Sequence, residues 1–206
     1  MPVKSTCSSS NGFLPFLSYH SGMSYDSGQV YEPEADTFLL LEAARAEIRP
    51  GDRILEIGTG SGYIAAELSR VADVLTTDIN PHAVVAAKDR GVETIRTDFF
   101  AGIKGTFNLI LFNPPYLPTR PEERIDDWLE YALDGGLNGR EAIMGFANEA
   151  GRVLSPGGRI LLLISSLTGL YEVQEIFSVQ GFSSEVVREQ TVEDEILYVL
   201  KMVRSD

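Results

Sequence analysis

Short apolar runs alternate along the chain with segments whose apolar residues recur at helical spacing. The apolar runs predict strands at residues 54–57, 74–78, 92–96, 108–112 and 159–164. The helical segments are 36–48, 61–70, 81–90, 141–153 and 169–180. Two last strands, 183–190 and 195–202, predict a closing hairpin. Alternating strands and helices indicate an α/β fold with a mostly parallel sheet, to which the hairpin adds an antiparallel strand.

The first 29 residues differ from the rest of the chain, because they are rich in Ser and Gly and show little periodicity. Such a composition predicts a flexible N-terminal tail at 1–29 and a folded domain at 30–206. Met23 is a second candidate for the start of the protein. The pattern contains no internal repeat and no domain linker.

Composition narrows the class of protein. A chain of 206 residues, 44% of them hydrophobic, is suited to one domain with a substantial core. The lone Cys7 excludes an internal disulfide and a cysteine-based metal site, and two histidines are too few for a metal cluster. No apolar run approaches the length of a membrane span, and residues 13–17 are too short for a signal-peptide core. We therefore expect a cytoplasmic protein without a metal.

The segment Asn113-Pro114-Pro115-Tyr116 directly follows the apolar run 107–112. Each proline lacks an N–H and forces its predecessor into an extended conformation, so the segment is stiff. The Asn113 side-chain carbonyl and the Pro114 backbone carbonyl can then accept the two hydrogens of a planar –NH2 group, with the Tyr116 ring against its face. The alternative is a proline-rich turn that only ends a strand.

A glycine-rich turn follows the strand at 54–57 and opens a helix. Gly58 and Gly60 belong to a G-x-G-x-G pattern, which lets the backbone approach a ligand but is not the dinucleotide pattern G-x-G-x-x-G. Asp78, twenty positions after Gly58, ends the next strand, where a carboxylate can bind ribose hydroxyls. Asp98 follows the third strand. The alternatives are glycines that serve packing and an Asp98 that caps a turn.

This order of motifs resembles S-adenosylmethionine-dependent methyltransferases with a Rossmann-like sheet, in the branch that methylates amide or exocyclic nitrogens. The segment 30–40, VYEPEADTFLL, is similar to the Y-E-P-A-E-D-T-x-L-L signature of HemK-type protein glutamine methyltransferases. The segment 135–140, GGLNGR, resembles their G-G-x-[ND]-G-R motif. Glu34-Ala35 replaces the usual Ala-Glu, while Asp36 and Thr37 keep their register. The resemblance covers about residues 30–202 and fits the short archaeal and eukaryotic form.

The resemblance implies a class I methyltransferase fold, a seven-stranded sheet of order 3-2-1-4-5-7-6 with an antiparallel terminal hairpin. It also implies S-adenosylmethionine as cofactor and methylation of a protein glutamine, in the Gly-Gly-Gln tripeptide of a class I translation release factor. Asn113, Pro114 and Tyr116 would be catalytic, and Asn113, Pro115 and Tyr116 would bind the substrate. The residues implied for cofactor binding are Thr37, Glu56, Gly58, Gly60, Asp78, Asp98 and Phe99.

Each cofactor residue has an implied role. Gly58 and Gly60 approach the methionine part, with Glu56 supporting their turn and Thr37 closing over it. Asp78 takes the ribose hydroxyls. Asp98 takes the adenine amino group, and Phe99 lies beside the adenine ring.

The charge balance bears on the substrate. The net charge is −13, and the segment 117–139 contains six acidic residues against Arg120 and Arg124. Phosphate would be repelled there, which favours a protein substrate, although acidity can also serve solubility. An adenine-N6 or guanine-N2 methyltransferase acting on RNA or DNA is the alternative, since the same acceptors suit a base amine. A binding subunit without catalytic activity is the third hypothesis.

The predicted strand 92–96 lies at the edge of the implied sheet, where unpaired backbone groups can pair with another chain. Phe99 and Phe100 follow and would add apolar surface. The short form of the family pairs with a small zinc-binding activator of methyltransferases, so the resemblance implies a heterodimer. The alternative is that the N-terminal tail caps the edge. Trp128 is predicted to face the substrate or pack its loop, and Arg140 to cap or salt-bridge its helix.

Overall fold

The computed structural model describes residues 24–120, 122 and 127–205, and the strands of this part form one sheet. The strands are β1 (Arg53–Ile57), β2 (Asp73–Asp78), β3 (Glu93–Arg96), β4 (Phe107–Phe112), β5 (Leu154–Ser165), β6 (Phe182–Val192) and β7 (Glu195–Arg204). The α-helices are α1 (Ala35–Glu47), α2 (Tyr63–Leu68), α3 (Pro81–Asp89), α4 (Trp128–Tyr131), α5 (Glu141–Val153) and α6 (Leu170–Val179). Short 3-10 helices occur at Ser27–Gln29 and Ser166–Thr168.

The strand order is β3-β2-β1-β4-β5-β7-β6, which confirms the predicted order. β1 to β5 pair in parallel, whereas β7 is antiparallel to both β5 and β6. The carboxyl ends of the parallel strands therefore meet along one edge of the sheet. The order reverses between β1 and β4, and such a switch point opens a crevice for ligands.

Helices cover both faces of the sheet, so its central strands are apolar on both sides. In one core cluster, Phe146 of α5 and Phe177 of α6 pack with Ile110 of β4. In the other, Leu40 of α1 packs with the next strand residue, Leu111. This alternation explains why β4 could be predicted from an uninterrupted apolar run.

Two of the elements whose bounds differ from the sequence prediction begin late or early for local reasons. β5 begins at Leu154 rather than at residue 159, because residues 155–158, with the sequence Ser-Pro-Gly-Gly, are absorbed as a bulge between the partners of Phe107 and Leu109. α2 begins at Tyr63 rather than at residue 61. Its N-cap Gly62 has φ +77°, and a Cβ there would lie 2.7 Å from the Cα of Ala87. The left-handed glycine therefore ends the turn and lets α2 approach α3.

A buried ion-pair network anchors the C-terminal end of α1 to the edge of the sheet opposite the crevice. Arg159 of β5 is 1% exposed, and its guanidinium pairs with Asp52 at 2.6 Å and also contacts Glu47. It donates a further hydrogen bond to the Asn108 carbonyl of β4. Removing one member would leave an uncompensated buried charge, which costs about 3–5 kcal/mol. The network thus holds the helix whose other end enters the crevice.

The end of the predicted tail, residues 24–29, contacts the domain. The Gln29 carbonyl accepts a hydrogen bond from Asn80, and the Gln29 side chain accepts one from the Trp128 N–H. Residues 1–23, with Cys7, His20 and the candidate start Met23, lie outside the described residues, and the boundary at residue 30 stays a prediction. No helix in the described ranges is long and apolar enough to cross a membrane.

Candidate active site

A cavity of about 1390 Å³ opens at the carboxyl ends of the parallel strands. All eleven residues predicted for the site line this one cavity, although they come from distant parts of the sequence. They are Thr37, Glu56, Gly58, Gly60, Asp78, Asp98, Phe99, Asn113, Pro114, Pro115 and Tyr116. The cavity is larger than one nucleoside-sized ligand requires, so a second ligand can enter beside it.

The glycine-rich turn forms the floor of the cavity between β1 and β2. Gly58 and Gly60 have φ of +64° and +54°, a left-handed conformation that L side chains rarely adopt. The Gly58 N–H donates to the Thr77 carbonyl at 2.9 Å, and the Gly60 N–H donates to Asp78 Oδ2 at 2.9 Å. These bonds tie the turn to the end of β2, with bare backbone facing the cavity.

Asp78 is buried at the end of β2. Besides the bond from Gly60, its Oδ1 accepts the Asn80 N–H at 2.8 Å. Burial raises the pKa of this carboxyl above its ordinary value, although the backbone donors oppose the rise. Each carboxylate oxygen can still accept another hydrogen bond, so Asp78 can bind hydroxyl donors.

Glu56 lies below the glycine-rich turn and is almost completely buried. Its Oε2 accepts a hydrogen bond from the Thr59 hydroxyl at 2.8 Å, within the same turn. Burial raises the pKa of Glu56 to about 8, and the nearby charge of Asp78 adds to the effect. A cationic ligand in the cavity would favour the ionised form of both carboxyls.

Asp98 and Phe99 follow β3 on the far side of the cavity from the β4 end. Asp98 is exposed, and Phe99 has φ +41°, an unusual left-handed conformation for a residue other than glycine. The Thr77 hydroxyl donates to the Phe99 carbonyl at 3.2 Å, and the Phe99 ring meets Phe112 edge-on at 5.8 Å. The strained backbone turns the Phe99 ring toward the cavity wall.

Asn113 stands at the end of β4 with its amide orientation fixed. Its Nδ2 donates to Asp36 Oδ2 at 2.9 Å. A carboxylate can only accept, so the nitrogen must face Asp36 and Oδ1 must face away. Oδ1 is buried and has no hydrogen-bond partner among the described residues. An acceptor left in this state costs about 1–3 kcal/mol, and a ligand donor would remove that cost.

Asp36 was missed as a site residue by the sequence reasoning, which used it only to keep the register of Thr37. It lies in the first turn of α1 and is 3% exposed. Its carboxylate accepts hydrogen bonds from the Tyr31 hydroxyl at 3.0 Å and from the Thr37 N–H and hydroxyl. The sequence feature that could have identified Asp36 is its place in the segment 30–40. Its contact with Asn113 spans 77 positions, so no local pattern in the sequence predicts that contact.

Pro114, Pro115 and Tyr116 continue from Asn113 along the cavity wall. The Pro114 carbonyl accepts no hydrogen bond from the part of the chain that the structure describes. Burial raises the pKa of the Tyr116 phenol, and the negative charges of Asp36, Glu195 and Glu34 raise it further. The ring is therefore neutral. Glu195, which sequence reasoning also missed, reaches this end of the cavity from the start of β7.

The charged side chains of the described cavity wall are all acidic. Of its described lining residues, ten are Asp or Glu and none is Lys, Arg or His. The ten are Glu32, Glu34, Asp36, Glu56, Asp78, Asp98, Glu130, Asp134, Glu141 and Glu195. Such a wall attracts cations and repels phosphate. No group of three or more His, Cys, Asp and Glu residues that could hold a metal occurs within the described ranges.

Trp128 has contacts on two sides, and its role toward the substrate stays a prediction. It lines the cavity, and its backbone N–H donates a hydrogen bond to the Gln29 side-chain carbonyl at 3.0 Å. The Arg96 guanidinium lies 5.9 Å from its ring centroid, and the Tyr131 ring lies 5.5 Å away. Trp128 therefore packs α4 against β3 and the segment before α1, while one side of it faces the cavity.

Comparison with known proteins identifies the chain's relatives. A family model described as "Methyltransferase small domain" matches residues 32–125. A Methanocaldococcus jannaschii protein named as an N5-glutamine methyltransferase is 38% identical over 184 residues, which cover 85% of this chain and 92% of the relative. Methyltransferase HEMK2 of Mus musculus is 35% identical over 193 residues, which cover 85% of this chain and 90% of the relative.

A solved structure is also similar to this chain. It is the E. cuniculi Mtq2–Trm112 complex, described as responsible for methylation of the translation termination factor eRF1. The match has a TM-score of 0.73 at 28% identity and covers 86% of this chain and 99% of that one. The identities and coverage show that the chain belongs to the HemK-type family of protein N5-glutamine methyltransferases.

Proposed function

We propose that the protein transfers a methyl group from S-adenosylmethionine to the side-chain amide nitrogen of a glutamine in a translation release factor. The observation that carries the proposal is the orientation of Asn113, whose Nδ2 is held by Asp36 while its Oδ1 has no protein donor. The similarity to Mtq2, which is described as methylating a termination factor, supports the choice of substrate. A release factor acts where translation terminates, so the proposal includes a cytoplasmic location.

The described residues fit the proposed cofactor. The acidic wall suits a molecule that carries a sulfonium and an ammonium group, and the bare backbone of Gly58 and Gly60 suits its methionine part, above Glu56 and beside Thr37. Asp78 would accept the ribose hydroxyls, and Asp98 the adenine amino group with Phe99 against the ring. When bound, S-adenosylmethionine supplies an electrophilic methyl group on its sulfur.

The protein's own contribution to the reaction is to orient a poor nucleophile. An amide nitrogen reacts weakly because its lone pair is delocalised into the carbonyl group. Asn113 Oδ1 and the Pro114 carbonyl would accept its two hydrogens and stabilise the positive charge that develops on the nitrogen. Tyr116 would cover the flat face of the amide, beside Pro115. Because these acceptors are neutral, they stabilise the ground state of a cationic donor less than a carboxylate at position 113 would. The product nitrogen can release its proton to water.

A nucleic-acid substrate is less well supported. Proteins that bind RNA or DNA displace counterions from phosphates with Lys and Arg. The described lining of this cavity contains ten Asp or Glu side chains and no basic side chain. An exocyclic base amine would suit Asn113 and Pro114, but the phosphates attached to it would meet a repulsive wall.

Methyl transfer from labelled S-adenosylmethionine tests the function directly. The substrates are a release factor, the same factor with its Gly-Gly-Gln glutamine changed to alanine, and RNA and DNA of matched length. We expect one methyl group on the factor, located by mass spectrometry on that glutamine, and none on the variant. Labelled nucleic acid with an unlabelled factor would contradict the proposal.

Replacement of Asn113 by alanine should nearly abolish turnover. One oriented acceptor at a developing charge is worth about 10²–10³ in rate. Cofactor affinity should stay close to that of the wild type, because Asn113 holds the substrate end of the cavity. The measurements are kcat for release-factor methylation and S-adenosylmethionine binding by calorimetry.

The matched control is Asn148→Ala, which removes an exposed asparagine on α5 that bonds only Gln180 among the described residues. We expect wild-type kinetics from this control. Wild-type turnover in Asn113→Ala would remove Asn113 from the mechanism.

Replacement of Asp78 by alanine should weaken S-adenosylmethionine binding by about 1–3 kcal/mol, since charge-assisted hydrogen bonds to ribose would be lost. Asp73→Ala is the control, because Asp73 is an exposed carboxylate at the opposite end of the same strand. Calorimetric titration of both variants should separate them. An equal dissociation constant for Asp78→Ala and the wild type would refute the assignment of Asp78.

We further propose that the protein works as a heterodimer with a small activator subunit, which the sequence resemblance implies to be zinc-binding. The similar Mtq2 was solved in complex with Trm112. β3 lies at the sheet edge, as predicted, and Ile95 within it is 41% exposed. Phe100 corrects the sequence expectation, because it is completely buried in the core and adds no surface there. Ile79 supplies exposed apolar area next to β3 instead.

Charge at the edge strand should block this pairing. Ile95→Asp places a carboxylate in the exposed apolar position of β3, so we expect loss of the activator in gel filtration and weaker cofactor binding in its presence. Val179→Asp is the control, since Val179 is equally apolar, is 78% exposed and ends α6, which packs on β6 at the opposite edge of the sheet. A soluble monomer that binds S-adenosylmethionine equally well with and without the activator would contradict the proposal.

A further inference from the structure

The segment 133–140, here called the clasp, runs along the backbone of residues 115–119. It contains the Gly-Gly-Leu-Asn-Gly-Arg motif, to which the mechanism above gives no role. The Leu117 N–H donates to the Leu133 carbonyl at 3.1 Å, and the Gly135 N–H donates back to the Leu117 carbonyl at 2.9 Å. The Thr119 N–H donates to the Gly136 carbonyl at 2.9 Å. The clasp therefore holds the chain that leaves the acceptor motif.

Two glycines of the clasp touch the acceptor motif itself. A Cβ on Gly135 would lie 2.9 Å from the Pro115 carbonyl oxygen and 2.7 Å from the Cα of Gly139. A Cβ on Gly139 would lie well below 3.0 Å from the Tyr116 carbonyl oxygen, a separation that real Cβ atoms essentially never show. Gly139 also has φ +71°. Only bare backbone can occupy these two places without moving Pro115 or Tyr116.

The clasp is itself attached to rigid elements. The Glu141 N–H at the start of α5 donates to the Gly135 carbonyl at 3.0 Å. The Arg140 guanidinium donates to the Thr168 carbonyl, in the 3-10 helix that follows β5. Arg140 therefore does not cap its helix with its side chain, as one sequence expectation had it, but ties the clasp to the end of the sheet. Movement of the clasp would have to strain both attachments.

We propose that the clasp positions the acceptor motif, and that the missing side chains of Gly135 and Gly139 set the place of the Pro115 and Tyr116 backbone. The inference rests on the proposed function, because it concerns the alignment of the glutamine nitrogen. Reacting atoms must lie about 3–3.5 Å apart and in line, and a misplacement of about 1 Å can cost 10²-fold in rate. The clasp residues act through Pro115 and Tyr116, so they are positioning residues.

Alanine substitutions in the full chain test the clasp. Gly139→Ala drives a methyl group toward the Tyr116 carbonyl, so kcat for methylation of a glutamine peptide should fall by about 10²-fold. Gly135→Ala makes milder contacts at a residue with no left-handed backbone, and it should reduce kcat by about 10-fold. Binding of S-adenosylmethionine, measured by calorimetry, should be unchanged in both variants, because the clasp contacts the substrate side of the cavity.

Gly157→Ala is the matched control. Gly157 has φ +70°, nearly the value of Gly139, but a Cβ there meets nothing within 4 Å. It lies in the β5 bulge, at the ends of the strands that face away from the cavity. Both Gly139→Ala and Gly157→Ala should lose thermal stability from backbone strain, and Gly139→Ala should lose more, because its methyl group also meets the Tyr116 carbonyl. Only Gly139→Ala should lose kcat, which separates misplacement of the acceptor from strain alone.

The outcomes distinguish the clasp from the proposed function. Wild-type protein that methylates no glutamine overturns the proposed function and the clasp with it. Methylation by the wild type, with kcat unchanged in Gly135→Ala and Gly139→Ala, overturns the clasp alone. If Gly139→Ala fails to bind the cofactor, Gly135→Ala decides: a loss confined to kcat supports the clasp, and a wild-type kcat or a joint loss of kcat and cofactor binding refutes it.

Discussion

The hydrogen bond between Asp36 and Asn113 is the constraint on which the site depends. Because a carboxylate only accepts, Asp36 decides which end of the Asn113 amide faces the substrate. The bond needs the first turn of α1 beside the end of β4, and the core cluster that contains Leu40, together with the Arg159 network, holds α1 against the sheet. The fold therefore places the Asp36 carboxylate beside the Asn113 amide.

The acidic side chains of the cavity are a second constraint on its ligands. Burial raises the pKa of Glu56 and Asp78, so the ligand-free protein accommodates their charge poorly. A cationic ligand would relieve this cost, since opposite charge favours the ionised form. The same wall disfavours phosphate. The same acidic side chains therefore favour a cationic cofactor over an anionic one and a protein substrate over a nucleic acid.

Much of the site could be predicted from the sequence because its residues follow strands. Gly58, Asp78, Asp98 and Asn113 each end or follow a parallel strand, and parallel strands present their carboxyl ends at one edge. What could not be predicted depends on contacts between distant elements. The Asp36 bond spans 77 positions, Glu195 enters from the final hairpin, and Phe100 turns into the core rather than toward the surface.

The proposed reaction requires that Asn113, oriented by Asp36, accept the amide hydrogens of the target glutamine. A crystal structure of the complex with S-adenosylhomocysteine and a peptide containing Gly-Gly-Gln would show this contact. We expect the glutamine nitrogen within hydrogen-bond distance of Asn113 Oδ1 and the Pro114 carbonyl, with Asn113 Nδ2 still bonded to Asp36. A glutamine nitrogen bound elsewhere in the cavity, or an Asn113 amide rotated away from Asp36, would contradict it.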